Sequence, residues 1–142
     1  MPYKRIVLDT NCLIASLSRS GNYYPIWKGL QKGDYVLCVS TDILEEYAEK
    51  ITDLMSVEVA TNVIHLLLES EFVELVNPYF SLHLIETDHD DDKFVDCAFA
   101  ANATYIVSDD KHLEVLKNIN FPQILVLKLK EFLRLLRSDI NI

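Results

Sequence analysis

Apolar residues recur along this chain in two rhythms. Short unbroken runs at Arg5–Asp9, Tyr35–Ser40, Phe72–Val76, Thr104–Ser108 and Ile124–Leu127 have the length and β-branched content of buried strands. Longer stretches between them carry apolar residues three and four apart. In DILEEYAEKITDLM the positions Ile43, Tyr47, Ile51 and Leu54, joined by Leu44, Ala48 and Met55, fall on one helical face. Ser40 or Thr41 is placed to cap that helix. Helices are also predicted at Asn11–Arg19, broken by Gly21 and Asn22, and at a short segment opened by Pro25 and closed at Gly33. Further helices are expected at Ser56–Ser70, Lys93–Ala103 and His112–Asn118, and in a last amphipathic segment carrying Phe132, Leu133, Leu135 and Leu136. Asn77 and Pro78 mark a turn.

Strands alternating with helices predict an α/β fold: one domain with a central, mostly parallel, five-stranded sheet flanked by helices on both faces. In such sheets ligands sit beyond the carboxyl ends of the strands. Carboxylates gather at those ends here. The first strand ends at Asp9 and the fourth runs into Ser108-Asp109-Asp110. The second leads into a helix whose first turns hold Asp42, Glu45 and Glu46. The run Asp88, Asp90, Asp91 and Asp92 precedes the helix that leads to the fourth strand. Singly, each acid has an ordinary explanation as a helix cap or a solvated face. Four segments delivering acids to one sheet edge need a common reason, and a hard cation taking oxygen ligands supplies it.

Composition changes the picture little. With 142 residues, 50% hydrophobic and 25% charged, the chain is long enough for a real core. A net charge of −9 is unusual for a protein that handles nucleic acid, although a divalent ion bound among the acids would reverse the local field. No apolar run approaches the roughly 20 residues of a membrane span, and Ile6–Leu8 is a strand rather than the core of a signal peptide. Cys12, Cys38 and Cys97 are scattered among apolar neighbours, as expected of buried free thiols in a reducing cytoplasm. Other chemistries fail on residue type. DHDDDK begins like a calcium loop, but Lys93 stands at its sixth position and Phe99 at its twelfth. A haloacid-dehalogenase-type phosphatase needs a second Asp where Asn11 stands. No glycine-rich phosphate loop exists, and His65, His83, His89 and His112 lack zinc-site spacing. His65, within an apolar helical stretch, is expected at the edge of the core.

The order IVLDTN, VSTDILEEY and DDDKFVDCAFAANATYIVSDDKHL resembles the PIN domain, within the subgroup of toxin components of type II toxin–antitoxin modules. The resemblance runs from about Lys4 to Phe132. It implies that Asp9, Glu46, Asp91 and Asp110 are both the catalytic and the metal-binding residues, with Asn11 and Ser108 in support. It also implies one or two Mg²⁺ or Mn²⁺ ions, hydrolysis of single-stranded RNA, an antitoxin partner, a homodimer and a cytoplasmic location. The alternative is a PIN-like module that binds RNA or protein and turns over poorly. The helical wheel treats Glu45 and Glu46 alike, and only the family pattern selects Glu46. Asp92 replaces Asp91 if the loop register slips by one. Asp109 stands where many relatives have glycine, and Asp96 is either a fifth site acid or an exposed one.

Overall fold

The computed structural model describes residues 4–83, 85, 91–118 and 124–140. Among them, five strands form one parallel sheet: β1 (Arg5–Leu8), β2 (Val36–Val39), β3 (Val73–Leu75), β4 (Tyr105–Val107) and β5 (Leu125–Leu127), in the order β3-β2-β1-β4-β5. The chain builds outward from β1 to β3, then returns to the other side of β1 for β4 and β5. Right-handed crossovers that run in opposite directions along a sheet fall on its opposite faces. The reversal leaves a crevice between the carboxyl ends of β1 and β4, the point where such sheets bind ligands.

The helices begin and end where their side chains dictate. Helix α1 (Thr10–Ser16) starts at Asp9, and α2 (Tyr24–Lys32) ends at Gly33, whose φ of +83° suits glycine. A Cβ on Gly33 would also lie 2.6 Å from the Phe72 ring. Helix α3 (Thr41–Leu54) is capped by Ser40, whose Oγ accepts from the Ile43 N–H at 3.2 Å, and it buries Ile43, Tyr47 and Ile51. Ser56 does the same for α4 (Val57–Glu69) through the Val59 N–H at 3.1 Å. Helix α5 (Asp92–Ala100) packs on β1, β2 and β4. It stops short of the expected Ala103 because Asn102 takes a positive φ of 52°. The Arg5 guanidinium completes that end, Nε donating to the Ala101 carbonyl at 2.8 Å.

Lys111–Asn118 is not the expected α-helix but a run of 3₁₀ turns. Leu113 and Leu116 are its buried residues, and their spacing of three matches three residues per turn. Helix α6 (Leu129–Ile140) buries Phe132, Leu133 and Leu136 and packs back against α2. His65 departs from expectation: it faces water on α4, with Nε2 3.1 Å from Glu69 Oε1. The three cysteines are free and buried, and burial pushes the Cys38 thiol up to about 11 and that of Cys97 up to about 12. Among the described residues no helix is long and apolar enough to cross a membrane.

Candidate metal centre

The crevice between β1 and β4 is closed by one hydroxyl. The Asp9 N–H extends the sheet ladder by donating to the Val107 carbonyl at 3.0 Å, which aims the Asp9 side chain out of the strand end. Ser108, one residue past β4, donates its hydroxyl to Asp9 Oδ2 at 2.6 Å and accepts from the Asp110 N–H at 3.0 Å. The Asn11 N–H reaches Asp9 Oδ1 at 3.4 Å. A single serine thus fixes the carboxylate of one strand against the backbone that carries the next acid.

Glu46 arrives from α3. The fully buried Tyr47 next to it donates its hydroxyl to the Leu8 carbonyl at 2.6 Å, pinning this turn of the helix to the end of β1. Glu46 Oε2 accepts from the Thr10 hydroxyl, and Oε1 lies 2.7 Å from Lys93 Nζ. Asp91, buried at the start of α5, completes the ring. His112 Nδ1 lies 3.7 Å from Asp91 Oδ2 and 3.4 Å from Asp110 Oδ1. Asp91, Asp110 and His112 each offer a ligand atom within 4.8 Å of the other two.

The electrostatics fit like charges held together. Burial raises the Asp9 pKa above the usual carboxylate value, and the charges of Asp110 and Glu46 push the same way. The Ser108 and Asn11 hydrogen bonds oppose the rise without cancelling it. Neighbouring Cys12 is driven strongly upward by burial and by the charges of Asp9 and Asp109, so it is a protonated thiol and no nucleophile. Two carboxylates and an imidazole within reach of one point, beside a third carboxylate that resists ionising, form a donor set able to hold a divalent cation.

A family model for the PIN domain matches residues 5–112, the span from β1 to His112 that contains every one of these groups. The chain belongs to the PIN-domain family. Its PIN fold is also similar to a chain in the crystal structure of VapBC2 from Rickettsia felis bound to a DNA fragment from their promoter. That match has a TM-score of 0.60 at 17% identity and covers 87% of this chain and 98% of that one. A second similar structure is that of the PIN domain endonuclease Utp24, with a TM-score of 0.55 at 18% identity, covering 90% of this chain and 86% of that one. No curated protein matches the sequence. The fold is therefore a PIN fold.

Within this PIN domain the other acids have separate employment. Asp92 is buried and accepts from the Ile85 N–H at 3.0 Å, away from the cluster. Asp96 is buried too, and its two oxygens accept from the Ser81 hydroxyl and the Leu82 N–H at 3.0 and 2.9 Å. Asp109 accepts from the Leu129 N–H at 3.0 Å and so caps α6, although it also borders the depression lined by Asp9, Asn11 and Asp110. Glu45 is exposed, and Asn11 reaches Asp9 through its backbone while its side chain stays exposed. Asp88 and Asp90 lie outside the described residues. His112, which has no zinc-type pairing in the sequence, joins the cluster with Asp91 and Asp110. Its position two residues after Asp110, in the loop that leaves β4, was the available signal.

Proposed function

We propose that this chain is an endoribonuclease that hydrolyses phosphodiester bonds of single-stranded RNA with Mg²⁺ or Mn²⁺, as the toxin component of a toxin–antitoxin module. The observation that carries the reading is the convergence of Asp91, Asp110 and His112 beside Asp9, which Ser108 binds into the same cluster. Asp9, Glu46, Asp91 and Asp110 are the residues to hold one or two ions, with His112 as a further ligand. When bound, the metal supplies Lewis acidity at the phosphoryl oxygens and lowers the pKa of water. The chain's own groups do the rest. Ser108 holds Asp9 in one orientation, Thr10 and Lys93 hold Glu46, and a carboxylate takes the proton released when water attacks phosphorus.

Residues 1–142 act in this reading as one nuclease domain in the cytoplasm, a setting in which three free cysteines stay reduced. An antitoxin protein and a second copy of the chain are the expected partners. Support for protein partners comes from α3, α4 and the turn between them, which expose Leu54, Met55, Val57, Leu66 and Leu68 to water.

The test is cleavage of a single-stranded RNA in Mg²⁺, in Mn²⁺ and in chelator, by wild-type protein and Asp91→Asn. Cuts that need metal and disappear in the variant are expected. Cleavage that persists in chelator, or an Asp91→Asn protein of wild-type rate, overturns the reading.

A further inference from the structure

The loop leaving β3 holds two aromatic rings out to water. Tyr79 is 101% exposed and Phe80 is 48% exposed. Yet the loop is fastened. Asn77 Oδ1 accepts from the Thr41 N–H at 2.8 Å, and buried Asp96 takes both the Ser81 hydroxyl and the Leu82 N–H. Phe80 meets Phe99 edge to face, ring centroids 5.6 Å apart. A segment anchored on both sides thus displays aromatic surface that contributes little to the core.

Those rings wall a cleft of about 600 Å³ whose other side is Asp42, Asp92 and Lys93. The cleft meets the acid cluster at Lys93, whose Nζ is 2.7 Å from Glu46 Oε1. Its charge is wrong for following phosphates: Asp42, Asp92 and Asp96 outnumber Lys93. What it offers is flat apolar surface. Such surface suits the face of a nucleobase, and only an unpaired base has a face to give.

We propose that Tyr79 and Phe80 form a stacking platform for an unpaired base of a single-stranded nucleic acid whose backbone passes over the acids. This rests on the nuclease reading above, and makes Tyr79 a substrate-binding residue that sets where along a strand the cut falls.

The probe is a phosphorothioate oligoribonucleotide carrying one 2-aminopurine, titrated with the whole chain in Mn²⁺ and followed by the quenching that accompanies stacking. Tyr79→Ala should weaken binding about five- to a hundredfold and restore the emission, whereas Tyr79→Trp retains both. Because stacking releases no counterions, the dependence of affinity on salt should be the same in wild type and Tyr79→Ala. On cleavable RNA the Tyr79→Ala defect should appear in KM. Since Tyr79 is wholly exposed, the variant should unfold at the wild-type temperature. Wild-type protein that quenches but never cleaves RNA overturns the nuclease reading and leaves the platform standing. Protein that cleaves while Tyr79→Ala binds and quenches like wild type overturns the platform and leaves the loop as a surface for a protein partner. Absence of both binding and cleavage overturns both.

Discussion

Asp91 and Asp92 are neighbours in the chain whose carboxylates serve different parts of the molecule. Asp91 turns to His112, 3.7 Å away, while Asp92 takes the Ile85 N–H at 3.0 Å. Successive residues at a helix start diverge by about 100°, so two adjacent acids cannot both face the crevice. Their substitutions should separate cleanly. Asp91→Asn should lower RNA cleavage by at least about a hundredfold, as loss of a group acting on developing charge does, with the fold kept. Asp92→Ala leaves a buried N–H without its acceptor and should lower stability by about 1–3 kcal/mol in denaturant titrations. Reversed effects would move the ligand to Asp92.

The Ser108 hydroxyl joins Asp9 to the backbone of Asp110. Groups that orient metal ligands typically account for about 10- to 100-fold in affinity or activity. Ser108→Ala should therefore weaken Mn²⁺ binding, measured by titration calorimetry, within that range. Unaltered affinity would mean that Asp9 does not touch the metal.

Lys93 supplies a cation to Glu46 in the metal-free protein. A divalent ion at Glu46 has to compete with it. Lys93→Met should tighten Mn²⁺ binding, by up to about tenfold for a coupling of about 1.4 kcal/mol. Weaker binding in the variant excludes Glu46 as a ligand.

Asp9 gives the metal-free fold a pH signature. Its folded pKa is raised, first by burial and then by Asp110 and Glu46, so ionising it opposes folding. This cost is fully present above the folded pKa and is relieved as pH falls through that value towards the unfolded one, about 4. In chelator, the thermal midpoint should rise from pH 7 towards the acid side before other carboxylates lose their contacts. Asp9→Asn should raise the midpoint at pH 7 and flatten that rise. A wild-type midpoint that only falls on acidification would show that Asp9 ionises without penalty.

Much of this architecture was legible in sequence. The five apolar runs and the helical stripe of Ile43, Tyr47 and Ile51 required only periodicity, and Gly33 and Ser40 punctuate as their chemistry demands. The strand ends that gather acids followed from the alternation of elements. What periodicity could not separate were neighbours on one helix or loop. Glu45 and Glu46 look alike on a wheel, and it takes the Tyr47–Leu8 hydrogen bond to show that Glu46 is the one turned to Thr10 and Lys93. Asp92, Asp96 and Asp109 look like site acids in sequence because carboxylates that accept from backbone N–H groups are the same residue type as those that bind metal. Their partners, Ile85, Leu82 and Leu129, are set by tertiary contacts. His65 lies in an apolar stretch yet faces water, because the other face of α4 carries the packing of Ala60, Val63 and Leu67.

The central strand of the sheet meets its second neighbour late. β1 pairs with β2 some thirty residues on, but its other edge waits for β4, with Ile6 opposite Tyr105 and Leu8 opposite Val107. During synthesis that edge stays open until the segment that forms β4 has been made, and an open strand edge invites mispairing. The same delay applies to the site. Asp9 and Ser108 are 99 residues apart, so no nascent fragment that stops short of Ser108 holds the assembled cluster. The candidate site is therefore put together only once β4 has been made and has paired with β1.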